Sequence, residues 1–216
     1  MNGESTLGPP SGARAAASST STGRERRLPV YLLVDGDIGP GSEDLASLPG
    51  RLGALGRVFV RSIVYGPEAR DLSGSWTRCR DLGEALRCVS QSLEQETQRR
   101  TPGDPGDYPP LIFILASNAP EGDWVSPALA VRTLTDLRLI NVLGFGFSEA
   151  AVRALSQLTH TVFAVSSEPS ALADCLDWIE RATETTLRLA AAAASRHKLV
   201  RAPALPKTLR HVAPQL

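Results

Sequence analysis

This chain has very few lysines, cysteines and histidines, and each shortage removes a class of function. Only Lys198 and Lys207 are lysines, so nearly all the positive charge is arginine. Lysine plus arginine balance aspartate plus glutamate at 23 each, and no whole-chain field draws the protein to nucleic acid or to an anionic membrane. The three cysteines, Cys79, Cys88 and Cys175, are odd in number and have no CxxC spacing, which argues against a disulfide framework or a zinc knuckle. The three histidines, His160, His197 and His211, form no pair with metal spacing and read as ordinary surface residues. The N-terminus has no apolar signal core, and no stretch approaches the ~18 uninterrupted apolar residues of a membrane span. A reduced, cytoplasmic setting is the expectation.

What the sequence does contain is a succession of apolar runs separated by amphipathic segments. Residues 1–26 are rich in Ser, Gly, Ala, Thr and Pro without apolar periodicity and read as a disordered tail. A domain is expected over 27–182, followed over 183–216 by a helix extension and a proline-containing tail. Strands are predicted at about 29–35, 58–65, 111–116, 139–145 and 161–165, with a short edge strand at about 69–73. Helices are predicted at about 42–54, 81–99, 125–137 and 148–158, and from about 171 to 196. Over 81–99 the stripe of Leu82, Ala85, Leu86, Val89 and Leu93 recurs at helical spacing. Between this helix and the next strand, the prolines and glycines of 101–110 enforce a loop. Strands alternating with helices, several of them continuous apolar runs, imply a doubly wound α/β domain. Its sheet is mostly parallel, flanked by helices on both faces, with one antiparallel edge strand.

In such a fold, ligands bind outside the carboxyl ends of the strands. The first strand, Leu28-Pro-Val-Tyr-Leu-Leu-Val-Asp35, ends on Asp35 and Asp37, and the strand after Pro110 ends on Ser117 and Asn118. Gly36, Gly39 and Gly41 follow the first strand without G-x-G-x-x-G spacing, so they do not specify a nucleotide site. Asp35, Asp37 and Asp123 are equally well read as turn-capping or solvated carboxylates. Trp76, Trp124 and Trp178 fit core or rim positions, and Trp124 stands out because its loop belongs to the expected binding face. Cys88 and Cys175 read as small buried apolar residues. The cluster Arg24-Glu-Arg-Arg27 reads as a solvated flank. The alanine-rich end of the last helix, Leu189 to Ala194, offers little side-chain area to bury and suits a projecting or partner-facing surface.

Several of these strings together resemble a von Willebrand factor A domain of the bacterial stand-alone, TerY-like kind. They are Arg27-Leu-Pro-Val-Tyr-Leu-Leu-Val-Asp35, Leu82-Gly-Glu-Ala-Leu86, Pro109-Pro-Leu-Ile-Phe-Ile-Leu115 with Pro120-Glu-Gly-Asp-Trp124, and Asn141-Val-Leu-Gly-Phe-Gly146. The resemblance covers roughly residues 27–182. It implies a metal-ion-dependent adhesion site built from D-x-S-x-S in one loop, a threonine in a second and an aspartate in a third. Of that set this chain keeps Asp35. The serine positions match Asp37 and Gly39, the threonine position falls at Arg80, which brings a cation toward the metal's place, and the third aspartate falls on Ser117. A hard Mg²⁺ wants oxygen ligands in octahedral array, so these departures imply a degenerate site without metal or cofactor. The resemblance implies a non-catalytic protein-interaction module and not an enzyme. Its partners would be proteins, among them a kinase or phosphatase of a tellurite-resistance-like stress-response system, and neither nucleic acid nor membrane. Binding would rest on Asp35, Asp37, Arg80, Ser117, Asp123 and Trp124. The rival reading comes from D-x-D after a first parallel strand, which is also how haloacid-dehalogenase-type phosphotransferases begin. There Asp35 would be nucleophile and Asp37 general acid/base, with Ser117 on phosphate.

Overall fold

The computed structural model describes residues 25–38, 43–67, 76–98, 101–102, 104, 106–192 and 203–213. Within them the chain runs β1 (Leu28–Asp35), α1 (Glu43–Ala54), β2 (Val58–Tyr65), β3 (Trp76–Cys79), α2 (Leu82–Glu96), β4 (Leu111–Ala116) and α3 (Val125–Asp136). It continues through β5 (Asn141–Gly146), α4 (Glu149–Leu158), β6 (Val162–Val165), α5 (Ala171–Ala192) and β7 (Leu209–Val212). One sheet contains all seven strands in the order β3-β2-β1-β4-β5-β6-β7. Every pairing is parallel except β6 with β7. This is the α/β architecture expected from the sequence.

The central strands explain themselves. In β1 and β4 nearly every side chain is buried, because both faces of the sheet are covered. Alternate residues then feed two separate cores. Val30, Leu32 and Val34 join Leu45, Leu48 and Leu52 of α1 and Leu176, Trp178 and Ile179 of α5 on one face. Tyr31 and Leu33 join Leu82, Leu86 and Val89 of α2, Val131 of α3, and Leu155 and Leu158 of α4 on the other. On the first face the rings of Phe145, Phe163 and Trp178 pack together with centroids 5.1–5.8 Å apart.

The edges depart from expectation. The antiparallel strand is β7, formed by the proline-containing tail, where Leu209 is buried and His211 packs edge-on against Phe163. The tail is therefore part of the sheet, and within it His211 is exposed, as expected. The other edge strand is β3, parallel to β2, while the expected 69–73 strand lies outside the described residues, as do 193–196 of the last helix. Of the expected tail, residues 1–24 also lie outside the described residues. Arg26 and Arg27 are not a solvated flank. Arg26 donates to the carbonyl of Gly106 at 2.9 Å and lies over the Tyr108 ring, and Arg27 pairs with Asp107 at 3.1 Å. Burial pushes the Asp107 carboxyl up, but the Arg27 hydrogen bonds and the Gln98 and Arg27 amides outweigh it and hold the group below the usual carboxylate range. This pairing fastens the Pro/Gly loop before β4. Among the described residues no helix is long and apolar enough to cross a membrane.

Candidate functional site

Strand order reverses between β1 and β4, because the chain leaves β1 toward β2 on one side and later continues from β4 toward β5 on the other. The crevice at that reversal is where doubly wound sheets hold ligands. Asp35 ends β1 and Ser117 follows β4, so the topology brings these two expected site residues together. Their contact is direct. Asp35 Oδ2 accepts the Ser117 amide at 3.1 Å and the Ser117 hydroxyl at 2.5 Å, while Oδ1 accepts the Asp37 amide at 3.2 Å. The last of these is an Asx-type turn, in which a side chain satisfies the backbone two residues on.

The neighbourhood holds this carboxylate in place. Tyr65 donates to the carbonyl of Leu115 at 2.9 Å, tying β2 to β4 across β1. Burial first, and then the negative charge of Asp35, push the Tyr65 hydroxyl well above the usual tyrosine range, so it remains a neutral donor. Gly66 follows with φ +114, and a Cβ there would sit 3.4 Å from Asp35 Oδ1. Only glycine takes that backbone conformation at low cost while lying over the carboxylate.

A cleft of about 280 Å³ opens beside this pair. Its lining includes Asp37, Ile38 and Ser117 together with Phe147, Ser166 and Glu168, which follow β5 and β6. The described lining includes two carboxylates and neither lysine nor arginine. Phe147, Ser166 and Glu168 are absent from the residues singled out in the sequence. They occupy the carboxyl ends of β5 and β6, and the strand-end rule applied to those strands finds them.

The other expected residues lie elsewhere. Arg80 does not enter the crevice: its side chain is 85% exposed and its Nε reaches Glu84 Oε2 at 3.3 Å. The reason is local. Asp81 caps α2 by accepting the Glu84 amide at 2.7 Å, and Glu84 accepts the Arg80 amide at 2.7 Å, so a capping arrangement fixes this turn on the helix surface. The Arg80 hydrogen bonds hold the Glu84 carboxyl below its ordinary range. Asp123 is exposed and does not line the cleft. Trp124 is 9% exposed and belongs to the core cluster with Leu82, Leu86 and Ala128. It is a packing residue at the start of α3 and not an exposed anchor.

Gly83 in α2 permits this packing. A Cβ there would lie 2.3 Å from the carbonyl oxygen of Asp123, a backbone atom with no rotamer to yield. Gly83→Ala should therefore displace the 122–124 loop from α2 and cost about 1–3 kcal/mol, the usual range for overpacking. A thermal melt reads it as a drop of several degrees, and an unchanged midpoint would mean that the loop and helix are not in contact.

The described donors at the crevice are engaged with one another. Both Asp35 oxygens accept protein hydrogen bonds, and the hydroxyl of Ser117, after β4, donates to Asp35. Among the described residues no group of three or more His, Cys, Asp or Glu side chains is placed to hold a metal ion. Compared with known proteins, the chain matches no protein-family model and no curated protein.

Proposed function

We propose that this protein is a non-catalytic protein-interaction module of von Willebrand factor A type, in which the metal-binding aspartate has become an internal hydrogen-bond acceptor. One observation carries the reading. Asp35, at the strand-order reversal, accepts three hydrogen bonds from Ser117 and Asp37 in place of presenting free oxygens. A partner is then recognised by the loop side chains themselves, around the cleft of Asp37, Ser117, Phe147 and Glu168. Carboxylates at the mouth favour basic or hydroxyl-bearing groups of a partner and repel acidic ones. By resemblance, a kinase or phosphatase of a bacterial stress-response system belongs to the partner class.

Calorimetric titration with Mg²⁺ and Mn²⁺ tests this. No saturable binding is expected at submillimolar concentrations, because the oxygens of Asp35 are engaged by the Ser117 amide and hydroxyl and the Asp37 amide, and a serine follows β4 where a second carboxylate would help hold a hard cation. Stoichiometric micromolar binding that disappears in Asp35→Ala would overturn the reading. The same preparation is assayed on a generic phosphomonoester, where no turnover is expected. Hydrolysis abolished by Asp35→Asn would give the phosphotransferase reading first place.

A further inference from the structure

The sulfurs of Cys79 and Cys88 are 3.6 Å apart. Cys79 is the last residue of β3, and Cys88 lies inside α2. The two meet because β3 turns through Arg80 and Asp81 directly into a helix that folds back over the sheet. Cys79 is buried and Cys88 half-buried. A disulfide bond is ~2.05 Å long, so about 1.5 Å of further approach separates the contact from a covalent link. Cys175 takes no part: it is buried in the core on the opposite face of the sheet.

We propose that Cys79 and Cys88 form an intramolecular redox pair, which a low-molecular-weight disulfide such as oxidised glutathione converts into a disulfide joining β3 to α2. The half-buried Cys88 is the thiol that an external disulfide reaches. Its thiolate attacks one sulfur of oxidised glutathione, breaking that S–S bond and releasing one glutathione thiolate, which takes up a proton. Cys79, as thiolate, then attacks the Cys88 sulfur of the mixed disulfide and expels the second glutathione. Two protein thiols are oxidised, one glutathione disulfide is reduced to two thiols, and the two protein protons end on them. Burial above all, and then Cys88, Glu84 and Asp81 around it, push the Cys79 thiol up to about 12, so Cys79 is the resolving thiol and not the one that attacks first. The bond would close a loop that contains the Arg80-Asp81 turn and Gly83, which meets the 122–124 loop, so oxidation tethers this segment.

The test incubates the full chain in glutathione redox buffers and follows intact mass and thiol count. The accessible and buried thiols together should fall from three to one, counted after denaturation, with the loss of two hydrogens and no added glutathione. Trypsin cuts after Arg80 and Arg87 and places the two cysteines on different peptides, which should appear cross-linked. Cys79→Ser should trap glutathione on Cys88, and Cys88→Ser should leave Cys79 unmodified. Three intact thiols, a stable glutathione adduct on wild-type Cys88, or a disulfide-linked dimer would each overturn the proposal. Should Cys79→Ser not fold, the wild-type peptide map decides alone.

Discussion

Asp35→Ala should destabilise the protein by about 2 kcal/mol and lower its melting midpoint by roughly 4–8 °C. The carboxylate accepts the Ser117 amide, the Ser117 hydroxyl and the Asp37 amide. Hydrogen bonds to a charged group are worth about 1.5–3 kcal/mol when buried, and Asp35 is half-buried, so the sum is discounted for water that can replace part of it. Asp35→Asn keeps one acceptor oxygen but turns an N–H toward a donor, and should lose about half as much. The direction of the effect discriminates between readings. A carboxylate held ready for a ligand is poorly satisfied without it, so its removal leaves stability unchanged or raises it. A double-mutant cycle with Ser117→Ala measures the coupling between the two side chains. Additive costs would mean that the short contact contributes nothing. A more stable Asp35→Ala would return the metal-site reading to consideration.

Much of the fold was legible because two-sided burial leaves a plain mark. Leu28–Asp35 and Leu111–Ala116 are apolar throughout, and a run of that length bounded by polar turns has few other places to go than the middle of a covered sheet. The α2 stripe likewise announces its buried face. The edges were not legible for the converse reason. β7 has four residues and one fully buried side chain, so Leu209-Arg-His-Val212 shows no period, and what makes it a strand is the free edge of β6. β3 is equally short. Strand ends brought out the proximity of Asp35 and Ser117, since register alone brings them together. Arg80 was misplaced because position in a loop does not give side-chain direction, and the nearby Glu84 claims the guanidinium. Arg26 and Arg27 show the same thing: a charged string is a flank until a distant carbonyl and carboxylate, here those of Gly106 and Asp107, are known to face it.

Trp124→Ala carries the largest expected effect, and it reverses what position in the chain suggests. On a binding loop, an exposed tryptophan is removed at little cost in stability. Here the side chain is 9% exposed and joins the α2, α3 and α4 side of the core with Leu82, Leu86 and Ala128. It also begins α3 without a side-chain cap, so packing and not hydrogen bonding anchors that helix start. Truncating a buried aromatic to alanine costs about 3–5 kcal/mol, which for a chain of this size lowers the midpoint on the order of 10 °C. Urea denaturation should show the midpoint falling with little change in slope. Trp124→Phe retains much of the buried area and should cost about a third as much. A Trp124→Ala protein that melted with the wild type would mean that the indole stands in solvent. Loss of partner capture in a destabilised Trp124→Ala protein reports a loosened loop and helix, not a missing contact. Recognition on this face is therefore probed through Asp37 and Glu168, which line the cleft and are exposed.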